Sequence, residues 1–312
     1  MRAMLRSGIF TSIAAVTALI MLSPGAALAG DSLVLSEGDG TLDGDKSYYE
    51  VVIQTGRTLS VKRLADQGQG YLHLRAHRIV VEAGATIQAN GAGYRAHDLM
   101  DGDGPAGGFG VLGFSVGDPG GGGAYGGSGG VGTSPDCMTP SAGSIAGSAY
   151  AALTFGAAGG AANVAGMGQG SRGGHGGGYV ILEASEVQIL GTIEAKGEDG
   201  RTAPNASGGV VSGGGAGGAI QIIASTLLTD VSTTRIVATG GNGGDGTAAK
   251  GGGGGGGRIL LMTPDSPLGT DVAAGLGGGG CALGQGAAGA VDPPVPPAGC
   301  LDVDGDGASS VL

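Results

Sequence analysis

Four short segments of similar sequence constrain this chain most, because their spacing limits how its strands can be arranged. They begin after a glycine, at Tyr71, Tyr179, Ala219 and Arg258, and continue with aliphatic side chains at every second position. The last three starts are 40 and 39 residues apart. Alternation with period two is typical of β-strands. A fixed spacing of this size predicts stacked units that share one core.

The alternation slips by one residue at the same place in two of these segments. After Ala76 the apolar side chains resume at Ile79, and after Ala184 they resume at Val187. A slip at equivalent positions predicts a bend, followed by a second short strand that turns its apolar face inward again. A third short strand is predicted after each bend.

Glycine is the second constraint, since it makes up 75 of the 312 residues. Long glycine tracts directly precede the strand segments, as in 156–178 and 240–257. Glycine permits turns with positive φ and close approach of backbones, but ordering it costs more entropy than ordering any other residue. A strict Gly-X-Y period is missing, which excludes collagen.

These patterns predict an all-β fold, a glycine-rich β-solenoid-like stack of short strands. The alternative is a polyglycine-strand bundle with short β-sheets, in which glycine segments pack without side chains. Both interpretations use the same strand segments and differ in what the glycine tracts do.

The first 29 residues predict a signal peptide. Arg2 and Arg6 precede a mostly apolar run at 9–22, and Ala27-Leu28-Ala29 fits a small-x-small cleavage site. The apolar run is shorter than the roughly 20 residues that a membrane-spanning helix needs. We therefore expect cleavage before Gly30, a secreted or cell-surface location, and no transmembrane segment after cleavage.

Composition divides the rest of the chain into three parts. Residues 30–290 are predicted to form the glycine-rich β domain, with a long insertion at about 100–170 where the periodicity is lost. Residues 291–299 form a proline-rich linker. Residues 300–312 form an acidic tail.

The acidic tail carries the clearest chemical motif. Asp302, Asp304 and Asp306 stand in Asp-Val-Asp-Gly-Asp-Gly, which matches the first half of a calcium-binding loop. Position 12 of such a loop would lie one residue past Leu312, so the sequence predicts at most a weak calcium site. The alternative is a solvated acidic tail. Calcium is the one cofactor that the sequence indicates.

Acidic residues in and after the second segment raise the question of catalysis. They are Glu183, Glu186, Glu194, Glu198 and Asp199. A glycosidase or lyase needs carboxylates at a defined separation, and a cleft that also held Arg172 or Arg201 would favour such an enzyme. However, Glu183 and Glu194 occupy outward strand positions, and the aromatic residues expected of a sugar groove are few. We predict that the protein is not an enzyme.

Histidines offer a further set of candidate ligands. His73 and His77 share a strand face with Arg75, opposite Leu74. This face could bind a metal or an anionic sugar, or it could simply be solvated. His175 stands between glycines and is predicted to lie in a loop.

Charge and cysteine content restrict the partners and the compartment. After signal cleavage, 13 basic residues face 26 acidic ones, a formal charge of −13, which argues against a nucleic acid partner. The cysteines are Cys137, Cys281 and Cys300. Export permits a disulfide, and Cys281 with Cys300 is the pair nearest in sequence.

The strand phrases at 72–76 and 87–95, with the Gly-Gly-Gly-Arg-Ile block ending at Ile259, resemble exported glycine-rich bacterial proteins. These are PE-PGRS-like in composition, although the PE domain has no counterpart here. The resemblance spans roughly Val51 to Met262 and implies a repeat type but no activity. A more distant similarity, to the glycine-rich domain of anaplastic-lymphoma-type receptor kinases, supports the polyglycine alternative.

The sequence thus predicts a non-enzymatic secreted or cell-surface protein with a structural, adhesin-like role. One alternative is a carbohydrate-active β-solenoid enzyme, either hydrolase or lyase. Another is a weak calcium-dependent binding module. The expected partners are extracellular polysaccharide or another surface protein.

Overall fold

The computed structural model describes most of the chain between residues 31 and 292. The described ranges are 31–98, 100–110, 119–134, 136–138, 147, 153–163, 170–203, 210–230, 232–264, 270–271, 281–282 and 284–292. The predicted signal peptide, the acidic tail and all but the first two residues of the proline-rich linker lie outside these ranges.

A parallel sheet of eight strands is the larger layer of the fold. Its order is β1 (Ser32–Leu35), β4 (Glu50–Ile53), β6 (Tyr71–Val81), β10 (Tyr179–Ile189), β14 (Ala219–Thr229), β16 (Arg258–Met262) and β18 (Ala290–Asp292), and β3 (Gly44–Ser47) also pairs with β6. Every pairing in this sheet is parallel.

A second parallel sheet has six shorter strands. Its order is β17 (Thr270–Asp271), β15 (Arg235–Val237), β11 (Thr192–Glu194), β7 (Thr86–Gln88), β5 (Thr58–Val61) and β2 (Gly40–Leu42). Two small antiparallel pairs join β8 (Ala162–Asn163) to β9 (Gly170–Ser171) and β12 (Thr202–Ala203) to β13 (Val210–Val211). A 3₁₀ turn, η1, spans Leu64–Asp66. Among the described residues, no helix has the length and apolar character needed to cross a membrane.

The alignment of the four strand segments is confirmed by the register of the larger sheet. Leu182 of β10 lies opposite Leu74 of β6 and Ile222 of β14, and Ile222 lies opposite Leu261 of β16. All four side chains are at most 1 % exposed. Alternate aliphatic positions of these strands therefore point into one shared interior.

The fold class predicted from the sequence is nevertheless wrong. Instead of a solenoid-like stack of short strands, or a polyglycine bundle with short sheets, the described residues form two extended parallel sheets with 14 strands. The parity slip does not end a strand, because β6, β10 and β14 are each 11 residues long and continue through the slip. At the slip, Ser185 drops out of the ladder between Ala184 and Glu186, and pairing then resumes. One unpaired residue re-aims the side chains while the strand continues.

The hydrophobic core lies between the two sheets. Its buried cluster combines residues of the larger sheet, such as Leu72 and Ile220, with Ile87, Ile193 and Ile236 of the smaller one. The last three occupy the central positions of β7, β11 and β15 and face one another in register. Since β7, β11 and β15 each contribute one aliphatic side chain to this cluster, the two sheets are joined by apolar contact.

Glycine segments form a further layer, which we call the glycine layer: residues 119–130, 156–161, 173–178, 213–218, 240–244 and 251–257. None of these residues belongs to a strand. The segments instead hydrogen-bond to one another: Gly123 N–H donates to the Gly214 carbonyl at 3.0 Å, Gly214 N–H to Gly252 at 2.9 Å, and Gly255 N–H to Gly123 at 2.9 Å. One segment thus bonds to two different neighbours, which satisfies backbone groups that are buried without side chains.

Candidate functional site

A charged cluster covers part of the outer face of the larger sheet. His73 Nδ1 lies 3.1 Å from Asp45 Oδ1, and His73 Nε2 lies 2.8 Å from Glu183 Oε2. Arg75 Nε donates to the same Glu183 oxygen at 3.1 Å. The parallel register brings these residues together, since Asp45 pairs with His73 and Arg75 with Glu183. His73 is only 8 % exposed, so this part of the face is a packed network.

Asp45 is ionised within this network. The Tyr71 hydroxyl donates to Asp45 Oδ2 at 2.9 Å and, together with the charges of His73 and Arg75, lowers the pKa of Asp45. The same hydrogen bond raises the pKa of Tyr71. The groups in the cluster therefore stabilise one another, and they form their hydrogen bonds with one another.

The other candidate catalytic carboxylates are also paired with basic groups. Arg78 donates to Glu186 at 2.9 Å and to Glu50 at 3.0 Å. Lys196 Nζ donates to Glu194 Oε1 at 2.6 Å. These carboxylates lie on different strands, and each is paired with a basic side chain of the protein.

Two further candidates have structural contacts. The ring of His77 stacks on Tyr49, with centroids 5.6 Å apart. Asp199 Oδ1 accepts a hydrogen bond from the backbone N–H of Asn242 at 2.6 Å. Neither residue belongs to a group of three or more metal-ligating side chains in the described ranges.

No group of three or more metal-ligating side chains gathers within the described residues. The predicted calcium ligands Asp302, Asp304 and Asp306 lie outside those residues. The calcium site therefore stays a prediction.

A cleft of about 400 Å³ lies beside the smaller sheet, and we refer to it as the arginine cleft. It is lined by Arg63 and the η1 turn, by residues 95–98 after β7, and by Arg172 and His175 next to β10. Because β5, β7 and β11 are neighbouring parallel strands, the segments that follow them meet at the same edge of the sheet. The cleft is thus assembled from residues more than one hundred positions apart.

Glu198 joins two walls of the arginine cleft. Its Oε1 accepts from Arg63 Nη1 at 2.5 Å, and its Oε2 accepts from Arg172 Nη2 at 3.2 Å. The space for Glu198 depends on Gly91, which has φ +60°, because a Cβ there would lie 2.7 Å from Glu198 Oε1. Two guanidinium groups therefore hold the carboxylate, which occupies space that the glycine at position 91 leaves open.

His175 lies outside the strands, as the sequence predicts, and forms a buried wall of the cleft. The residue is 3 % exposed. Its Nδ1 accepts from the backbone N–H of Ala96 at 2.8 Å, and Arg172 Nη1 contacts its Nε2. Burial, and next the charge of Arg172, lower the pKa of His175 to about 4. The imidazole is accordingly neutral at physiological pH.

This buried imidazole predicts a loss of stability in mild acid. In the unfolded chain a histidine titrates near pH 6.5, so between about pH 6.5 and 4 the unfolded state binds more protons than the folded state. The free energy of unfolding should thus be unaffected by His175 above pH 6.5, fall as the pH drops through this window, and be lower by roughly 2 to 3 kcal/mol near pH 4. The charges that face the ring are Arg172, Glu198, Arg63 and Arg201.

Urea denaturation at pH 7.5 and at pH 4.5 measures this effect. A His175→Gln variant keeps an acceptor for the Ala96 N–H, and we expect it to lose part of the pH dependence. His97→Gln is the matched control, since His97 is partly exposed and bonded to Asp103 at 2.8 Å. Equal pH dependence in wild type and His175→Gln would show that His175 is not the titrating group.

Sequence reasoning identified parts of this cleft but did not join them. The sequence indicates Arg172 and Arg201 as markers of a functional cleft and Glu198 as a candidate acid. Arg63 and Arg95 were missed, because nothing near them in sequence marks a site. Aligning the strand Thr58–Val61 with Thr86–Gln88 and Thr192–Glu194 would have revealed them, since the residues that follow then fall side by side.

The fold and the cleft together define a parallel two-sheet protein with a glycine layer and a polar, arginine-rich cleft. Comparison with models of known protein families, with curated proteins and with solved structures found no match to this chain. The function is therefore inferred from the residues themselves.

Proposed function

We propose that this chain is a non-enzymatic structural protein of the cell exterior, an adhesin-like scaffold that binds surface material. The observation that carries the proposal is the pairing of its candidate catalytic acids. Glu183, Glu186, Glu194 and Glu198 each accept a hydrogen bond from a basic side chain of the protein. A glycosidase needs one carboxyl group that exchanges a proton with substrate and a second that is free to act on it.

A disulfide supports the extracellular part of the proposal. Cys137 and Cys281 are bonded, with Cα atoms 5.5 Å apart. Disulfides form and persist outside the reducing cytosol. This bond agrees with the N-terminal sequence, which has the features of an export signal.

The glycine layer provides a rigid scaffold. Its buried backbone groups are bonded between segments, and the sheets beside it share a closed apolar core. Rigid elements present a binding surface at little entropic cost. The strongly acidic composition adds solubility and self-repulsion outside the cell.

The test combines export with an assay for turnover. The full chain, expressed in a secreting bacterial host, is expected outside the cytoplasm with Gly30 as its first residue. The purified protein should sediment with insoluble cell-surface polysaccharide and release no oligosaccharide from it. Protein unfolded by heat and reductant is the control for nonspecific sedimentation.

Two outcomes would contradict the proposal. One is retention of the chain in the cytoplasm. The other is release of reducing or unsaturated sugar ends, provided that Glu183→Gln or Glu198→Gln removes this activity. The second outcome would instead favour a carbohydrate-active enzyme.

A further inference from the structure

We propose that the arginine cleft binds a carboxylate-bearing sugar, such as a uronic acid unit of an acidic polysaccharide. This inference rests on the proposed function, because it names the ligand class of an extracellular binding protein. It is carried by the donors, the acceptors, the size and the rigidity of the cleft.

The cleft contains guanidinium donors that the protein does not use. Arg95 is exposed at the cleft, and its side chain forms no hydrogen bond or ion pair with the described residues. Arg172 Nε is buried and has no hydrogen-bond partner there. Guanidinium groups bind carboxylates through two parallel hydrogen bonds. An entering carboxylate would supply the acceptors that this part of the cleft lacks.

Two acidic side chains in the same lining restrict the kind of anion. Asp66 and Asp98 are exposed at the cleft, and neither side chain is bonded to a described residue. Asp98 is close enough to Arg172 to raise its pKa, against the larger lowering by burial. A phosphate or sulfate ion, which carries charge on all sides, would be repelled by these carboxylates. A sugar acid instead has hydroxyl groups that donate to them and a single carboxylate for the arginines.

The volume of the cleft agrees with a small, hydrophilic ligand. About 400 Å³ lies near the lower end of the roughly 300–1,000 Å³ typical of small-molecule sites. Most of the lining side chains are charged, with Ala65 and Ala96 as the small apolar contacts. A sugar ring needs hydrogen-bonding groups around its edge, and this lining supplies them.

The walls of the cleft are held in position before any ligand arrives. Glu198 bridges Arg63 and Arg172, and His175 is anchored by the N–H of Ala96. Four of the nine arginines outside the predicted signal peptide thus lie in or beside one site, in a chain that is otherwise strongly acidic: Arg63, Arg95, Arg172 and Arg201. A prearranged site loses little entropy on binding.

Calorimetric titration of the secreted protein with a galacturonic acid trisaccharide tests the inference. We expect binding, and at least tenfold weaker binding of the neutral galactose trisaccharide and of inorganic phosphate. Arg95→Gln should weaken trisaccharide binding about tenfold or more, because it removes a charged hydrogen-bond donor. Arg235→Gln is the matched control, since Arg235 is an exposed arginine of β15 in a different part of the smaller sheet. It should change binding less than twofold.

A second variant separates a sugar site from a general anion site. Asp98→Ala should strengthen phosphate binding more than binding of the acidic trisaccharide, because it removes a repulsive charge but also the oxygens that accept from sugar hydroxyls. Circular dichroism verifies that both cleft variants are folded.

The inference is overturned if the acidic trisaccharide does not bind, if the neutral one binds equally well, or if Arg95→Gln binds like wild type. Phosphate binding as tight as that of the trisaccharide also overturns it. These results leave the export and turnover tests untouched, so the ligand inference and the proposed function can fail separately.

Discussion

Replacing Gly176 by alanine is expected to unfold the protein or to lower its free energy of unfolding by at least about 4 kcal/mol. A Cβ at this position would lie 1.7 Å from the Gly156 carbonyl oxygen and 2.4 Å from its carbonyl carbon. Both atoms belong to the backbone, so no side chain can rotate away. The segments at 156–161 and 173–178 would have to separate, which would break the bond from Gly156 N–H to the Gly177 carbonyl and others beside it.

Gly38→Ala is the matched control for this substitution. Gly38 has φ +69°, but a Cβ there meets nothing within 4 Å. We expect a cost of only about 1–2 kcal/mol, from the left-handed backbone conformation alone. Urea denaturation followed by circular dichroism compares the two variants. If Gly176→Ala were no less stable than Gly38→Ala, the glycine layer would not be packed as tightly as described.

The strands were predictable because their signal is local. Alternate aliphatic residues after Tyr71, Tyr179, Ala219 and Arg258 gave both the strands and their register, and the paired strands agree with it. The wrong fold class came from the slips after Ala76 and Ala184, taken together with the regular spacing of the segments. A slip in parity has the same sequence pattern whether a strand ends or carries one unpaired residue, so only the hydrogen bonding across the sheet distinguishes the two.

The glycine layer was not predictable in detail, because glycine carries no side chain to reveal which surface it faces. A tract such as 251–257 could be a flexible loop or a packed segment on sequence alone. The hydrogen-bond partners distinguish the two possibilities, since Gly252 N–H donates to the Gly120 carbonyl and Gly253 N–H donates to the Gly284 carbonyl. Gly252 and Gly120 are 132 positions apart, and no short-range pattern encodes such a pairing.

The arginine cleft was hidden for a related reason. His175 lies outside the strands, as its flanking glycines predict, but the sequence does not show that those glycines let the chain pack closely enough to bury the ring. Arg63 and Glu198 became partners only through the side-by-side arrangement of β5, β7 and β11. Isolated charged residues in a sequence indicate little until the sheet that aligns them is known.

Removing the Cys137–Cys281 disulfide is the second change with a large expected effect. The two cysteines are 144 residues apart, so the bond closes a very long loop in the unfolded chain. For a loop of this size the chain-entropy estimate is about 5 kcal/mol of stabilisation. We expect Cys137→Ser/Cys281→Ala to lower the free energy of unfolding by this amount. Alanine is chosen at Cys281 because that side chain is only 2 % exposed and a hydroxyl would be buried there.

Cys300→Ser is the control, since Cys300 is not part of this disulfide, and it should leave the urea midpoint unchanged. Peptide mapping of the unreduced protein should recover Cys137 linked to Cys281. Recovery of Cys281 linked to Cys300, the pair nearest in sequence, would contradict the structure. So would a double variant as stable as the wild type.

The position of this disulfide explains why its effect should be large. Cys137 follows the glycine segment 119–130, and Cys281 precedes the segment 284–289. Gly253 links these two segments, because Gly130 N–H donates to the Gly253 carbonyl and Gly253 N–H donates to the Gly284 carbonyl. Glycine gains more conformational entropy on unfolding than any other residue, and these segments have few side chains whose burial could offset that gain. A cross-link here lowers the conformational entropy of the unfolded chain. It thereby offsets part of the entropy gain of these segments, which burial of apolar side chains does not offset. The double variant should therefore lose order in the glycine layer first, which hydrogen exchange would reveal as faster exchange at Gly130 and Gly253 than at Leu182 in the core.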